Sequence, residues 1–252
     1  MIPKFIKRSW VSARQAVSCR VLAKRVNVNL AEPLVTFTFD DVPVSAFDAA
    51  APILEKHHFK GTFYVSGALA ESTAGFMGRQ QIRSLIKRGH EIGCHTYSHV
   101  RTGFSTRARL EADLRRNADY FEENFAAYRL SSFAYPFGSI GLWNKPVLAK
   151  RFHSARGNAP GINLGATDLY TLASHRLYSN FMSPEFADRI IRDAIEKKAW
   201  LIFYTHDVLE SPTPYGCTPA LFTHVVKAVS DSGVRVVTMK EGTDFISPLR
   251  SR

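Results

Sequence analysis

Beyond residue 30, apolar and polar positions alternate in short runs with two periods. Runs of β-branched and aromatic residues at LVTFTF (34–39), GTFYV (61–65), EIGCH (91–95), SFAYP (132–136), FHSAR (152–156), HRLYS (175–179), WLIFYT (200–205) and VRVVTM (234–239) read as strands. Helical patterns fill most of the intervals. Ser45 with Asp48 reads as a capping box opening a helix through Leu54, and Gly89 stands where a C-cap belongs after IRSLIKR. Leu110, Leu114, Phe121 and Phe125 mark one face of a long helix. Ser183-Pro184 and Thr218-Pro219 each supply an N-cap followed by proline at the first helical position, and Gly233 ends the last helix. No linker or repeat interrupts the series. Seven or eight βα units in succession imply one α/β domain with a parallel sheet, closed into a barrel or doubly wound. Both arrangements gather chemistry at the carboxyl ends of the strands.

Composition adjusts this picture mainly at the N-terminus. A chain of 252 residues, 45% of them apolar, can bury one sizeable core. The formal charge of +11 resembles a nucleic-acid signal until it is located: seven of the 33 Lys and Arg fall in residues 1–30, which hold no acid. The rest of the chain is close to balanced, so no nucleic-acid partner is expected. Residues 1–30 are read as a basic arm and residues 31–252 as the catalytic domain. Charges recur too often in the arm for a bilayer span or a standard signal peptide. Ile2, Phe5, Ile6, Trp10, Ala13 and Val17 fall near helical spacing, so the arm is expected to be an amphipathic helix. It would rest on an anionic membrane surface or on the protein's own body. Three cysteines without C-x-x-C spacing, Cys19, Cys94 and Cys217, suggest a reducing compartment. The expected location is the cytoplasm, with peripheral contact at the inner membrane surface as an option.

Unusual residues cluster where the strands end. Asp40 and Asp41 follow the first run, His95 closes the third with His99 four residues on, Pro136-Phe137-Gly138 closes the fourth, and His206-Asp207 follows WLIFYT. An adjacent Asp pair is common in plain turns, and an H-x-x-x-H spacing arises often by chance in a chain with nine histidines. Position strengthens both. Strand alternation would send Asp40 to the Thr36/Thr38 side and Asp41 to the other, giving two carboxylates two tasks. Two imidazoles and one carboxylate suit Zn²⁺ or a similar transition ion with an open position for water. The second Asp could then take a proton from that water, and His206 could protonate the leaving group.

TFDD, HTYSH, YPFG and LIFYTHD, in this order and at these intervals, resemble the motifs of the NodB-homology polysaccharide deacetylases, carbohydrate esterase family four; the similarity runs over about residues 32–245. The resemblance implies a distorted, incomplete (β/α)7-type barrel and metal-dependent hydrolysis of N-acetyl or O-acetyl groups on a polysaccharide or oligosaccharide of N-acetylated sugars. It implies Asp40 as general base, Asp41, His95 and His99 as ligands of one divalent ion (Zn²⁺, with Co²⁺ or Ni²⁺ as alternatives), and His206 as general acid. The backbone N–H of Phe137, after Pro136, would help stabilise the oxyanion. Two departures stand out. The arginine that many members carry two residues before the third-motif proline, braced against the catalytic Asp, is Ala134 here, and Arg176 is the residue that could supply the charge from elsewhere. The acidic, Trp-containing fourth motif has no clear match in ARGNAPGIN.

Other features have plainer readings. Cys94 should face away from His95 as a buried thiol, and Phe37, Phe39, Phe63 and Phe203 belong to a core. Asp207 reads as a loop-orienting residue, and SPTPYGCTP (211–219) as a connecting loop or the rim of a groove. Tyr97, Trp143 and Tyr215 could stack on a sugar ring or simply pack, with Tyr215, Pro136 and Phe137 the substrate-contact candidates. Two alternatives to a sugar deacetylase are a non-acetyl amide hydrolase on the same barrel and a non-catalytic carbohydrate-binding homologue. The sequence leaves the oligomeric state open.

Overall fold

A computed structural model describes residues 24–72, 74–126, 128–141 and 143–247. The strands are β1 (Arg25–Val28), β2 (Leu34–Phe39), β3 (Thr62–Val65), β4 (Glu91–Cys94), β5 (Ser132–Ala134), β6 (Ser154–Arg156), β7 (Gly165–Asp168), β8 (His175–Arg176), β9 (Trp200–Thr205) and β10 (Arg235–Val236). Each of the eight runs read from the sequence contributes a strand, most of them shorter than the run. The main sheet is parallel, in the order β6-β5-β4-β3-β2-β9-β8. β9 covers one edge of β2 from Leu34 to Phe39, while β3 takes Thr38 and Phe39 on the other edge and β10 takes Leu34 and Val35 there. β6 and β8 do not pair, so the curl stays open: an incomplete (β/α) barrel. A loop stitches the gap, with Gly157 N donating to Leu172 O (2.9 Å) and Ser174 Oγ to Gly157 O (2.8 Å).

The helices are α1 (Ala51–Glu55), α2 (Gly67–Ser72), α3 (Arg79–Lys87), α4 (Arg107–Asn124), α5 (Asn144–Ala149), α6 (Pro184–Glu196), α7 (Pro219–Asp231) and α8 (Met239–Ile246). Ser183 and Thr218 cap α6 and α7 as read, accepting from Phe186 N and Leu221 N at 3.2 Å each. Gly89, after α3, takes φ +84°, the left-handed conformation that only glycine adopts cheaply. Ser45 caps nothing. Its Oγ accepts instead from Val208 N (3.1 Å), and Ala46–Ala50 opens as a wide π-turn before α1. A side chain engaged by the β9 loop is no longer free for the helix N-terminus.

Both faces of β2, β3 and β9 are buried, which is why they read as near-continuous apolar runs. Val35, Phe37 and Phe39 face the helices, where Phe37 stacks on Phe203 (centroids 5.7 Å apart) and Phe39 on Phe63 (4.6 Å). The opposite face of β2 carries Thr36, which accepts from Trp200 Nε1 (2.9 Å), and Thr38, which donates to Phe203 O (2.8 Å). That polar inner stripe leads to Asp40. Residues 25–28, assigned to a helical arm from sequence, form β1 instead, in an antiparallel ribbon with β7. Both are short and polar on one face, and neither signals a strand in the sequence. The rest of the arm, with its helical spacing and Cys19, lies outside the described residues.

Candidate functional site

Six strand ends meet at one mouth of the sheet. Asp40 and Asp41 follow β2, His95 follows β4, Pro136 and Phe137 follow β5, Arg156 ends β6, Arg176 ends β8 and His206 follows β9. All but Pro136 line one cleft of about 360 Å³, together with His99, Arg101, Asn158, Tyr178, Tyr204 and Tyr215.

The two neighbouring carboxylates do not diverge as strand alternation implies. Asp41 takes φ +60° and Val42 φ +49°, so the strand stops at Phe39 and the left-handed turn swings Asp41 into the same cleft as Asp40. Asp tolerates this conformation; a β-branched valine adopts it only where the surroundings dictate it. Among the described residues, five of the eight non-glycine positions with positive φ are Asp41, Val42, Thr96, His99 and Phe137, so backbone strain is concentrated at this mouth.

His95 and His99 converge through a bend and not a helical turn. The bend is held from α4, where Asp113 Oδ2 accepts from Tyr97 N (2.7 Å) and Ser98 N (3.3 Å). Ser66 Oγ donates to His95 O (2.7 Å). His95 Nδ1 sits 2.9 Å from the Ala134 carbonyl, which can only accept, so Nδ1 carries the proton and Nε2 presents its lone pair. Nε2 of His95 and Nε2 of His99 lie 3.3 and 3.0 Å from Asp41 Oδ1. That oxygen is buried with no satisfied hydrogen bond. Two imidazole nitrogens and one orphaned carboxylate oxygen, all within 4.8 Å of one another, are the donor set of a divalent-cation site.

Asp40 is buried at 6% exposure, and both of its oxygens accept from Arg156 Nη2. Burial pushes its carboxyl up; the charge of Arg156 is the main influence that offsets this and keeps it low. Arg156 donates Nη1 to Gly157 O (3.1 Å) and lies over the rings of Tyr204 (4.6 Å) and Tyr64 (5.4 Å). The charge read as coming from Arg176 therefore comes from Arg156. Arg176 lies over Phe181, its guanidinium 3.6 Å from the ring centroid. The register explains the exchange: Ala134 on β5 pairs with Arg156 on β6, so an arginine one strand over occupies the flank that Ala134 vacates. It stands in ARGNAPGIN, the stretch in which no family motif was legible.

His206 faces the group from β9, its Nε2 3.7 Å from Asp41 Oδ2 and its Nδ1 3.1 Å from the Tyr215 carbonyl. A backbone carbonyl thus orients this imidazole where the resemblance implied an acid. Asp207 organises the rim, accepting from Thr213 N (2.7 Å) and Thr213 Oγ1 (2.5 Å). Gly216 has to be glycine, since a Cβ there would come within 2.4 Å of the Asp207 carboxyl carbon. Phe137 takes φ +57°, its ring 4.4 Å from that of His99, and among the described residues its N–H meets no acceptor. Pro136 is buried beneath this turn, and Tyr215 is 60% exposed at the rim. Cys94 and Cys217 are buried free thiols. No helix of the described residues is long and apolar enough to cross a membrane.

Known proteins share both the sequence pattern and the frame. A family model described as polysaccharide deacetylase matches residues 27–151. A chitooligosaccharide deacetylase of Sinorhizobium fredii is 31% identical over 124 residues, covering 46% of this chain and 51% of the relative. The chain spans about half or less of the length of the curated relatives it matches. A family 4 acetyl xylan esterase of Clostridium thermocellum, solved with a cobalt ion, superposes at TM-score 0.58 with 20% identity over 82% of this chain and 89% of that one. A family 4 pseudoenzyme of Bacillus anthracis superposes equally well, at 0.58 with 15% identity over 86% and 67%, so the shared frame alone does not establish activity. Motif order, sheet topology and the family match agree: over residues 27–151 the sequence is that of the polysaccharide deacetylase family, on the frame these relatives share.

Proposed function

We propose that this chain is a metal-dependent hydrolase that removes N-acetyl or O-acetyl groups from an acetylated polysaccharide or oligosaccharide. The observation that carries this is the convergence of Asp41, His95 and His99 around an orphaned oxygen, with Asp40 beside them on a buried guanidinium. Asp41, His95 and His99 would hold one divalent ion, Zn²⁺ by donor type, with Co²⁺ or Ni²⁺ as alternatives. When bound, such an ion supplies Lewis acidity, acidifying a water and polarising a carbonyl.

The chain's own groups account for the proton movements. Asp40, kept ionised by Arg156, accepts a proton at a carboxylate oxygen as the nucleophile forms. His206, aligned through Nδ1 by the Tyr215 carbonyl, presents Nε2 to the far side of the group and delivers a proton to the departing amine or alkoxide. The Phe137 N–H, set by its left-handed backbone, is placed to donate to the developing oxyanion, where losing one donor typically costs about 10²- to 10³-fold.

Acetate release from N-acetylglucosamine oligomers and from acetylated xylan tests the reading, with and without chelator, for the wild type and Asp40→Asn. Chelator-sensitive release that falls about 10²-fold or more in the variant is expected. Release of a non-acetyl acid would point to another amide substrate. A metal-loaded protein that binds these glycans without releasing acetate would be a binding homologue.

A further inference from the structure

The cleft carries more positive charge than a neutral acetylated sugar can use. Arg101 and Arg176 both line it and are both exposed, and among the described residues neither is paired with a carboxylate. Of the acids within the cleft, Asp40 is taken up by Arg156, and Asp41 is turned toward His95 and His99 as part of the candidate cation site. Three guanidiniums therefore face two carboxylates, before any divalent cation is added.

The two free arginines are also held in place. The Arg101 guanidinium lies 4.1 Å from the centroid of Phe137, whose ring lies against the metal-ligand candidate His99 at 4.4 Å. Arg176 is pinned on Phe181 at 3.6 Å, and the β8–β9 register sets it beside Tyr204, the ring beneath Arg156. A guanidinium stacked on a ring keeps its planar N–H edge free, and that edge matches a carboxylate or phosphate with two parallel hydrogen bonds. Fixing the plane beforehand lowers the entropy lost on binding.

The geometry points to an acidic substrate: a glycan that carries a carboxylate or a phosphate near its acetylated position, held by Arg101 and Arg176 while the acetyl group lies at Asp41, His95 and His99. This rests on the deacetylase reading above and adds the substrate class. Excess positive charge in the cleft also draws such a glycan in from solution, an effect that salt screens.

Three probes separate the possibilities: a neutral N-acetylglucosamine oligomer, an oligosaccharide alternating N-acetylglucosamine with glucuronate, and N-acetylglucosamine 1-phosphate. Their affinities are measured by calorimetry on metal-loaded Asp40→Asn protein, so that binding is read apart from turnover. At least one acidic probe is expected to bind about tenfold more tightly than the neutral oligomer at low salt, and which one does so distinguishes carboxylate from phosphate. In Arg101→Ala and Arg176→Ala the ratio of acidic to neutral affinity should fall towards unity, and Arg→Lys should retain part of it. Equal affinity for neutral and acidic probes, no binding of either acidic probe, or a ratio unmoved by both alanine variants overturns the inference. Chelator-sensitive acetate release from the neutral oligomer would still uphold the deacetylase reading in each of those cases.

Discussion

Asp40 depends on a partner far away in the chain. Arg156, 116 residues on, is buried at 2% exposure and gives one nitrogen to both oxygens of the carboxylate. Removing one member of a buried ion pair leaves the other charged and unsolvated, at a typical cost of about 3–5 kcal/mol. Arg156→Ala should therefore lower both the melting temperature and kcat, the latter by about 10²-fold, because a free Asp40 is no longer aimed at the cleft. Arg156→Lys keeps the charge and loses the planar fork, so it should fall between. The register makes a sharper check available. Ala134 and Arg156 are side by side on β5 and β6, and adding Ala134→Arg to Arg156→Ala should restore part of kcat. An Arg156→Ala enzyme with unchanged kcat would remove the brace from the mechanism. Asp40, Asp41, His95, His99 and His206 were legible in the sequence because each lies in a short local motif at a strand end. Arg156 was not, since its role exists only through pairing between two strands. The turn of Asp41 into the cleft was hidden for a related reason: two adjacent aspartates do not announce a φ of +60°.

Elements built on strong local chemistry matched their sequence signals, and those set by tertiary demand did not. Proline after Ser183 or Thr218 defined two helix starts, whereas Ser45 was drawn to the β9 loop, and the β1–β7 ribbon carried too little apolar surface to be seen. One junction at the other end of the barrel gives a prediction at this scale. His90, at the foot of β4, is 3% exposed; its Nδ1 accepts from Gly61 N (3.0 Å) at the foot of β3, and its Nε2 lies 2.9 Å from Glu55 at the end of α1. An Nδ1 that accepts is unprotonated, so the folded ring is neutral and ties three elements together in one tautomer. Burial lowers its pKa from the ordinary 6.5, Glu55 partly offsets this, and Lys60 and Arg88 push it down further. The folded state thus binds fewer protons than the unfolded chain below pH 6.5. Stability contributed by this ring is complete above that pH and is lost as pH falls towards the folded value. The slope is at most about 1.4 kcal/mol per pH unit for one proton. Urea unfolding at pH 7.5 and 5.5 should show a smaller decline in His90→Gln, whose amide can still accept from Gly61, than in the wild type. Equal declines would mean that His90 titrates alike in both states.

For the molecule as a whole, the densest run of unbalanced charge lies ahead of the barrel. Five Lys and Arg with no acid occupy residues 1–23, ahead of the described chain. Each basic residue held near an anionic leaflet contributes about 1 kcal/mol at low salt, enough in sum for reversible attachment of a protein that also presents spaced apolar residues. The place to cut is set by the fold. Removing residues 1–30 would take away β1, whose Val28 is buried at 1% exposure and whose ribbon with β7 is extended by Lys24, its N–H donating to Asp168 Oδ1 (3.2 Å). Loss of binding by that variant could reflect damage to the ribbon. Deleting residues 2–23 leaves the ribbon whole. The full chain is expected to sediment with phosphatidylserine-containing vesicles and not with neutral ones, and to be released by about 0.5 M salt, where the screening length falls to a few ångströms. The shortened chain should stay in solution with an unchanged melting temperature. Equal sedimentation of the two chains would assign any attachment to the barrel and not to residues 2–23.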